Sequence, residues 1–225
     1  MATIGGPKIV TDGLVLCLDA ADKKSYSGSG TTWYDRSSSK DNATLVNDPA
    51  FINKGFDLDG VDDRITFDTP FEDEGDITCI VWFKGEEAEA SAYAYLLHNN
   101  GTDTSTGNSY LTIGVLGGGE YYAALDGQYS NMSTGIESDS STIYQIALTW
   151  DGTTQKVYMN GELKNSRSLS VNSNTLSATT SIGSYRTSTY RIWNGEVYIV
   201  HIYNRALSQE ELKQNFNAMR GRFGV

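Results

Sequence analysis

Residues 143–161 read IYQIALTWDGTTQKVYMNG, which contains two short apolar segments, each followed by a dipeptide typical of tight turns. In the first segment, bulky apolar residues alternate with smaller or polar ones up to Trp150, and this period of two is typical of a strand buried on one face. The bulkier set is predicted to face the core. Asp151-Gly152 and Asn160-Gly161 tolerate the positive φ angles of type I′ turns. The stretch therefore predicts a three-stranded antiparallel meander.

Short apolar segments of the same kind recur along the chain, separated by groups of Ser, Thr, Gly and Asn. The 225 residues include 23 glycines and only 3 prolines, a composition that favours many tight turns and an all-β fold. No linker or internal repeat divides the chain, so residues 1–225 are predicted to form a single domain. Strands are predicted at residues 14–19, 64–67, 77–84, 92–98, 109–115, 121–125, 143–150, 154–159 and 192–203.

The C-terminal region carries the signals of one short helix. Ser208 and Glu211 have the spacing of a capping box. Leu207 and Leu212 have the spacing of a hydrophobic staple, and Phe216 falls on the same helical face as Leu212. The sequence therefore predicts an all-β sandwich of two antiparallel sheets with one short C-terminal helix packed against it.

Charge and hydropathy exclude several classes of partner. Acidic residues outnumber basic ones 28 to 17, and the net charge of −11 disfavours binding to phosphate backbones and to anionic lipid. We therefore expect no nucleic acid and no membrane partner. Residues 1–10 lack the basic and apolar regions of a signal peptide. Cys17 and Cys79 lie in apolar segments, where we expect buried thiols that behave as small hydrophobic groups.

Several strings of residues, in order along the chain, resemble the laminin-G-like, concanavalin A-like jelly-roll superfamily. They are residues 12–15 (DGLV), 56–65 (FDLDGVDDRI), 147–152 (ALTWDG), 157–161 (VYMNG) and 194–197 (NGEV) followed by 202–208 (IYNRALS). The resemblance covers almost the whole chain. It implies a concanavalin A-like jelly-roll β-sandwich, a fold of lectins and glucanases.

The two ends of the chain resemble tailed-bacteriophage virion proteins, in residues 10–19, 31–35, 214–217 and 220–224. This resemblance implies a virion protein that is made in the host cytoplasm and decorates a capsid, tail or fibre. It also implies other virion proteins as partners, self-association into a homo-oligomer, and contact with glycans on host or environmental surfaces. The alternative is a purely architectural capsid or tail cement subunit without a ligand.

Asp62 and Asp63 match an acidic pair that helps to bind calcium in the pentraxin branch of the superfamily. Carboxylate oxygens on a loop suit Ca²⁺, which takes about six to eight oxygen ligands. The loop that supplies further acidic ligands in that branch reads SYRTSTYR at residues 184–191 here and contains no carboxylate. In the alternative interpretation, residues 59–63 are turn formers whose side chains bond to their own backbone. Both interpretations stay open at the level of sequence.

Tyrosines on polar, glycine-rich segments are the candidates for contact with a sugar. Flat aromatic faces suit the apolar side of a pyranose ring, and planar polar groups suit its hydroxyls. The alternative is that each ring belongs to the core and only its hydroxyl reaches the surface. The candidate carbohydrate-binding residues are Tyr121, Tyr122, Tyr129, Tyr185, Arg186 and Tyr190.

Catalytic chemistry has little support in the sequence. The glycosidase branch of the superfamily carries a Glu-x-Asp-x-Glu string, which this chain lacks. His98 and His201 lie on predicted strands without a Ser or Cys nucleophile motif beside them, so we expect them to be structural. We therefore expect a protein that is not an enzyme. The remaining alternative, a divergent glycan hydrolase, requires two carboxyls about 5–9 Å apart in a groove.

The basic C-terminal end contrasts with the acidic body of the chain. Arg220, Arg222 and Phe223 are of residue types favoured at interfaces, so residues 220–225 are predicted to dock on a neighbouring subunit. Fraying of this end is the alternative. Residues 1–8 are predicted to act in the same way at the other end.

Overall fold

The computed structural model describes residues 7–70, 75–85, 93–101, 109–125, 132–169, 176–185 and 191–225. The strands in these ranges are β1 (Leu14–Asp19), β2 (Thr32–Trp33), β3 (Ala43–Val46), β4 (Ala50–Ile52), β5 (Gly55–Asp59), β6 (Arg64–Asp68), β7 (Ile77–Gly85), β8 (Ala94–Gly101), β9 (Ser109–Val115), β10 (Glu120–Leu125), β11 (Ser133–Glu137), β12 (Tyr144–Trp150), β13 (Thr154–Met159), β14 (Glu162–Ser168), β15 (Leu176–Ile182) and β16 (Asn194–Tyr203), and the helix in these ranges is α1 (Gln209–Phe223).

The strands form two antiparallel sheets. The order in the first sheet is β14-β13-β12-β7-β16-β5-β4, and β1 also pairs with β16. The order in the second sheet is β11-β10-β9-β8-β15-β6-β3-β2. The predicted β-sandwich with one C-terminal helix is therefore confirmed. The predicted strands are all found, with ends that differ by a few residues, whereas the shorter or more polar strands β2–β5, β11 and β15 were not predicted.

The meander at residues 143–161 has the predicted strand order but only one of the two predicted turns. Asn160-Gly161 has positive φ angles of 53° and 76°, as a type I′ turn requires. At the other turn Gly152 has a positive φ, but Asp151 does not. Instead, the Asp151 carboxylate accepts hydrogen bonds from the backbone N–H groups of residues 153 and 154. The type I′ prediction was therefore wrong there, because a side chain took over the capping of the turn.

The core lies between the two sheets and receives the bulkier face of the meander's first strand. Leu148 and Trp150 are buried in this core, as predicted, and Tyr144 packs against it. Cys79 is also buried there, and Cys17 is half-buried. Burial raises the pKa of the Cys17 thiol to about 12 and raises that of Cys79 as well, so neither is a reactive thiolate at neutral pH.

α1 begins at the predicted capping box. The Ser208 hydroxyl accepts a hydrogen bond from the Glu211 N–H, and the Glu211 carboxylate accepts one from the Ser208 N–H. The helix lies on the outer face of the first sheet, where the Phe216 and Phe223 rings stack on Trp82 with centroid distances of 5.5 and 4.8 Å. Within the part of the chain that the structure describes, no helix has the length and apolar character needed to cross a membrane.

Residues 220–223 are the last turn of α1, so the predicted interaction tail is helical up to Phe223, and its docking on a neighbouring subunit stays a prediction. Phe223 continues the apolar face of the helix and packs on the chain's own first sheet. The Arg222 guanidinium donates to both carboxylate oxygens of Asp19, at 2.6 and 2.8 Å. The Arg220 guanidinium lies over another ring of the same helix. These side chains find their partners within the chain.

The described part of the N-terminal segment, from residue 7 onward, packs along α1. The Gln214 carboxamide donates to the Lys8 carbonyl at 2.8 Å, and the Val10 N–H donates to the Asn215 carboxamide at 2.7 Å. The predicted interaction segment at residues 1–8 is thus held by α1 at Lys8, while residues 1–6 lie outside the described residues. Both described ends of the chain therefore lie on the outer face of the first sheet.

We expect Trp82→Ala to lower the free energy of unfolding by about 3–5 kcal/mol, because the fully buried indole joins α1 to the first sheet. Leu163→Ala on β14 is the control, since Leu163 is 43% exposed and its truncation should change stability by less than about 0.5 kcal/mol. Urea unfolding followed by circular dichroism measures both. Equal losses for the two variants would contradict this role of Trp82.

Candidate functional site

Four ring side chains and one arginine meet at one end of the second sheet, and we call this group the aromatic cluster. Its members are Tyr93, Tyr95, His98, Tyr185 and Arg191. His98 follows Leu97, whose side chain packs in the core. Since side chains alternate along a strand, the His98 ring lies on the outer face of the sheet. Tyr95 stacks on His98 with a centroid distance of 4.9 Å and an interplanar angle of 13°, so it lies on the same face.

The Arg191 guanidinium lies among three tyrosine rings. Its central carbon is 5.1 Å from the ring centroids of Tyr93 and Tyr95, and 5.9 Å from that of Tyr185. The guanidinium also donates a hydrogen bond to the Tyr95 hydroxyl. The negative faces of aromatic rings attract a cation, so these contacts hold the three rings in a fixed arrangement around one positive charge.

Arg191 has an unusual backbone conformation. Its φ angle is 54°, in the left-handed region that non-glycine residues rarely adopt. Its carbonyl accepts a hydrogen bond from the Tyr95 N–H at 3.1 Å, which ties the residue to the start of β8. Strained backbone of this kind persists where the surroundings enforce it, and it concentrates at functional sites.

The aromatic cluster is partly open to solvent. Tyr95 and His98 are buried, Tyr185 and Arg191 are half-buried, and Tyr93 is 40% exposed. The His98 Nδ1 atom lies 3.2 Å from the Thr112 hydroxyl, which fixes the plane of the imidazole. The cluster therefore combines one exposed ring and a half-buried arginine with the buried rings of Tyr95 and His98.

The structure corrects the assignment of Tyr121 and Tyr122 as carbohydrate-binding residues. Their side chains are 1% and 0% exposed, so neither ring face can meet a sugar. Tyr121 packs edge-on against Phe83 at 5.0 Å, and burial raises the pKa of its hydroxyl. Both belong to β10, which lies between β9 and β11 inside the second sheet. For these two residues the alternative, a ring in the core, is the one that the structure supports.

Of the other carbohydrate candidates, Tyr185 belongs to the aromatic cluster, whereas Tyr129, Arg186 and Tyr190 lie outside the described residues. The remaining members of the cluster were not among the predicted residues. Arg191 is the last residue of the 184–191 loop, but only Tyr185, Arg186 and Tyr190 of that loop were predicted to contact a sugar. The contact of β8 with the end of β15 and with Arg191 depends on sheet topology, which residue spacing does not reveal.

The acidic turn, residues 59–63, places three carboxylates together. Ligand atoms of Asp59, Asp62 and Asp63 lie within 4.8 Å of one another. One oxygen of Asp59 accepts hydrogen bonds from the N–H groups of Val61, Asp62 and Asp63 at 2.8, 3.2 and 3.4 Å. These bonds, that from Val61 first, lower the pKa of Asp59. Asp59 therefore has the role that the turn-former interpretation assigned to it.

The pKa of Asp63 is shifted in the opposite direction from that of Asp59. Its side chain is buried, and one of its oxygens accepts a hydrogen bond from the Asp59 N–H at 3.2 Å. Burial, followed by the charges of Asp59 and Asp62, raises the pKa of Asp63 to about 6. A divalent cation would relieve this repulsion, and carboxylates are the hard oxygen ligands that Ca²⁺ prefers. Asp59, Asp62 and Asp63 could therefore hold calcium together.

The acidic turn and the aromatic cluster are neighbours at the same end of the second sheet. Gly183 lies between them, two residues before Tyr185. A Cβ atom on this glycine would be 3.2 Å from the Asp63 carbonyl oxygen and 2.6 Å from Leu58 Cδ1. Its N–H donates to the Leu96 carbonyl at 3.0 Å, on the strand that carries the cluster. With a φ of 90° as well, only glycine fits this close approach.

Two antiparallel sheets in this order form the jelly-roll sandwich of lectin-type proteins. The chain belongs to the concanavalin A-like lectin/glucanases superfamily, whose Laminin_G_3 profile matches residues 59–213. This confirms the resemblance seen in the sequence, and the matched range includes both the acidic turn and the aromatic cluster. No curated protein sequence matches the chain.

Several solved structures share the fold. Trypanosoma rangeli sialidase in complex with 2,3-difluorosialic acid has a TM-score of 0.72 and 16% sequence identity, over 98% of this chain and 37% of the sialidase chain. The binding domain of botulinum neurotoxin serotype D has a TM-score of 0.69 and 15% identity, over 92% of this chain and 52% of that chain. The binding domain of Paraclostridial Mosquitocidal Protein 1 gives the same values. At these identities the likeness concerns the fold alone.

We expect Asp63→Asn to stabilise the protein at neutral pH but not in acid. The pKa of Asp63 is raised from 3.8 to about 6 by folding, so the stability that this carboxyl contributes is present at low pH and is lost as the pH rises through about 6. Asparagine keeps the uncharged form at every pH. Thermal unfolding at about pH 4 and about pH 8 measures the difference between wild type and variant. Asp68→Asn, an exposed position on β6, is the control; the same pH dependence in that variant would count against a specific effect at Asp63.

Calcium distinguishes the two interpretations of the acidic turn. A calcium site predicts that Ca²⁺ raises the melting temperature of the wild type and of Asp68→Asn but not of Asp63→Asn, since binding to the folded state stabilises it by mass action. The turn-former interpretation predicts the same melting temperatures in calcium and in chelator for every variant. Magnesium, which demands smaller octahedral sites, is the matched ion control.

Proposed function

We propose that this protein binds carbohydrate through the aromatic cluster. The observation that carries the proposal is the Arg191 guanidinium, held 5.1 Å from the ring centroids of Tyr93 and Tyr95 beside an exposed ring surface. Tyr93 is 40% exposed, and its ring is of the kind that packs against the apolar face of a sugar. The guanidinium offers planar N–H donors to hydroxyl or carboxylate oxygens.

The layer beneath the exposed ring supports this role. Tyr95 and His98 are buried and stacked, and Tyr185 packs against His98 with a centroid distance of 4.9 Å. Side chains that are already ordered lose little conformational entropy when a ligand binds. The strained backbone of Arg191 is also of the kind that proteins retain at binding sites. A lectin-type superfamily and neighbours that are toxin binding domains agree with a binding role.

We also propose that the protein is a structural component of a bacteriophage virion, attached to a capsid or tail protein or to further copies of itself. The support is the resemblance of its two ends to tailed-phage virion proteins. The arrangement of the faces is compatible with it, because α1 and residues 7–10 lie on the first sheet while the cluster lies on the outer face of the second. A subunit attached through the first face would present the cluster outward.

We propose binding without catalysis. The support is that the chain lacks the Glu-x-Asp-x-Glu string of the glycosidase branch. The second candidate function is an architectural subunit without a ligand. It is favoured by the contacts that hold the described terminal segments to the body of the domain. These contacts involve Asp19, Asn215 and the face covered by α1.

The carbohydrate proposal predicts that Tyr93→Ala and Arg191→Asn weaken glycan binding by about tenfold or more, since each removes one of the two proposed sugar contacts. Asparagine tolerates left-handed φ angles, so Arg191→Asn removes the cation while leaving the backbone unstrained. Tyr34→Ala is the control, because Tyr34 is 50% exposed beside β2, at the far edge of the same sheet. The measurement is a glycan array with multimerised protein, with calcium and with chelator.

The outcomes separate the candidate functions. Binding that is lost in Tyr93→Ala and Arg191→Asn but kept in Tyr34→Ala supports the aromatic cluster. Binding that all three variants keep would move the site elsewhere. A wild-type protein that binds no glycan contradicts the lectin role and leaves the architectural one. Mass spectrometry of purified particles tests the virion role separately, and a protein that stays entirely in the lysate would refute it.

A further inference from the structure

The interface between α1 and the first sheet contains a place where buried polar side-chain atoms have no partner among the described residues, whereas a buried polar side chain elsewhere in it, Asn215, donates to the Tyr203 hydroxyl. Trp82 on β7 and Gln145 on β12 are directly opposite each other in the strand register and face the helix. Both side chains are buried, at 0% and 1% exposure. Neither the indole N–H of Trp82 nor either atom of the Gln145 carboxamide has a hydrogen-bond partner among the described residues.

The backbone groups of Gln145 have hydrogen-bond partners, whereas its side chain has none among the described residues. Its N–H donates to the Asn160 carboxamide at 2.9 Å, and its carbonyl accepts from the Asn160 N–H at 2.8 Å. The turn residue therefore satisfies the main chain of Gln145 completely. On the other side of Trp82 the register places Ile199, which has no polar atom in its side chain. Gln145 is thus the polar side chain directly opposite the indole in the strand register.

α1 covers the Trp82 indole on the outer face of the first sheet. The Phe216 ring lies almost parallel to the indole, at 5.5 Å and 5°, and Phe223 stacks on it at 4.8 Å. Rings that stack on the face of the indole do not cover its N–H, which lies at the edge of the ring. The helix therefore excludes bulk solvent but supplies no hydrogen-bond partner to the polar edge.

We propose that Trp82 and Gln145 hold an internal water molecule between β7, β12 and α1. Burying the Trp82 indole N–H and the amide nitrogen and oxygen of Gln145 without a hydrogen bond costs more free energy than immobilising one water. Water is the occupant that matches them, because it can accept from the indole N–H and the amide N–H and donate to the amide oxygen. Internal waters typically have about three such partners.

Nuclear magnetic resonance of the full chain labelled with ¹⁵N tests the proposal. The Trp82 indole proton, assigned by its disappearance in Trp82→Phe, is expected to show nuclear Overhauser contacts to a long-lived water. Cross-relaxation in the rotating and laboratory frames distinguishes this contact from chemical exchange. Trp33 and Trp150 are internal comparators, because their indole N–H groups also lack described partners but lie in the apolar core.

Gln145→Leu is the matched variant, since it keeps the volume and removes the amide. Loss of the Trp82–water contact in Gln145→Leu, with an otherwise unchanged spectrum, supports the site. A wild-type indole proton without any water contact overturns the proposal. A contact that persists in Gln145→Leu overturns it too, because the water would then be held by other groups.

Discussion

The position of β16 in the first sheet is the constraint on which the rest of the structure depends. One edge of this strand pairs with β7 along almost its whole length, and the other edge pairs first with β5 and then with β1. Val200 and Ile202 point into the core, while Ile199 and Tyr203 face α1. The chain enters β16 from Arg191 and leaves it toward the helix. A single strand thus fixes the aromatic cluster, the acidic turn at the end of β5, and the helix.

The features that could be predicted from the sequence have causes that are local along the chain. The alternation before Trp150, the Asn160-Gly161 turn and the capping box at Ser208 each involve residues within one or two turns of backbone, and the structure contains all three. The contacts of Phe223 and Arg222 could not be predicted in this way. Their partners lie on strands far away in the sequence, so the residue types indicated an interface without indicating these contacts within the chain.

The burial of the candidate site residues also could not be predicted from the local sequence. Tyr121 and Tyr122 follow a run of glycines, which suggested an exposed loop, but β10 has neighbours on both edges and both rings are buried. Tyr93 is exposed although it immediately precedes an apolar strand. Exposure of a tyrosine in a sandwich depends on which strand is beside it and what covers that face. Local polarity reports neither, whereas the contact of Tyr185, just after β15, with His98 on β8 is a consequence of the pairing of these two strands.

Two features with a local energetic cost lie side by side at this end of the second sheet. Arg191 has a left-handed backbone, and Asp63 is a buried carboxyl with a raised pKa. Gly183 is the close-packed residue that lies between the two. Asp139 shows what an ordinary structural carboxylate does in the same molecule: burial opposes its charge, but hydrogen bonds led by that from Tyr144 lower its pKa to about 2. Backbone strain and shifted carboxyl pKa values are enriched at functional sites. Their coincidence on either side of one glycine supports the proposal of ligand recognition at this end of the sandwich.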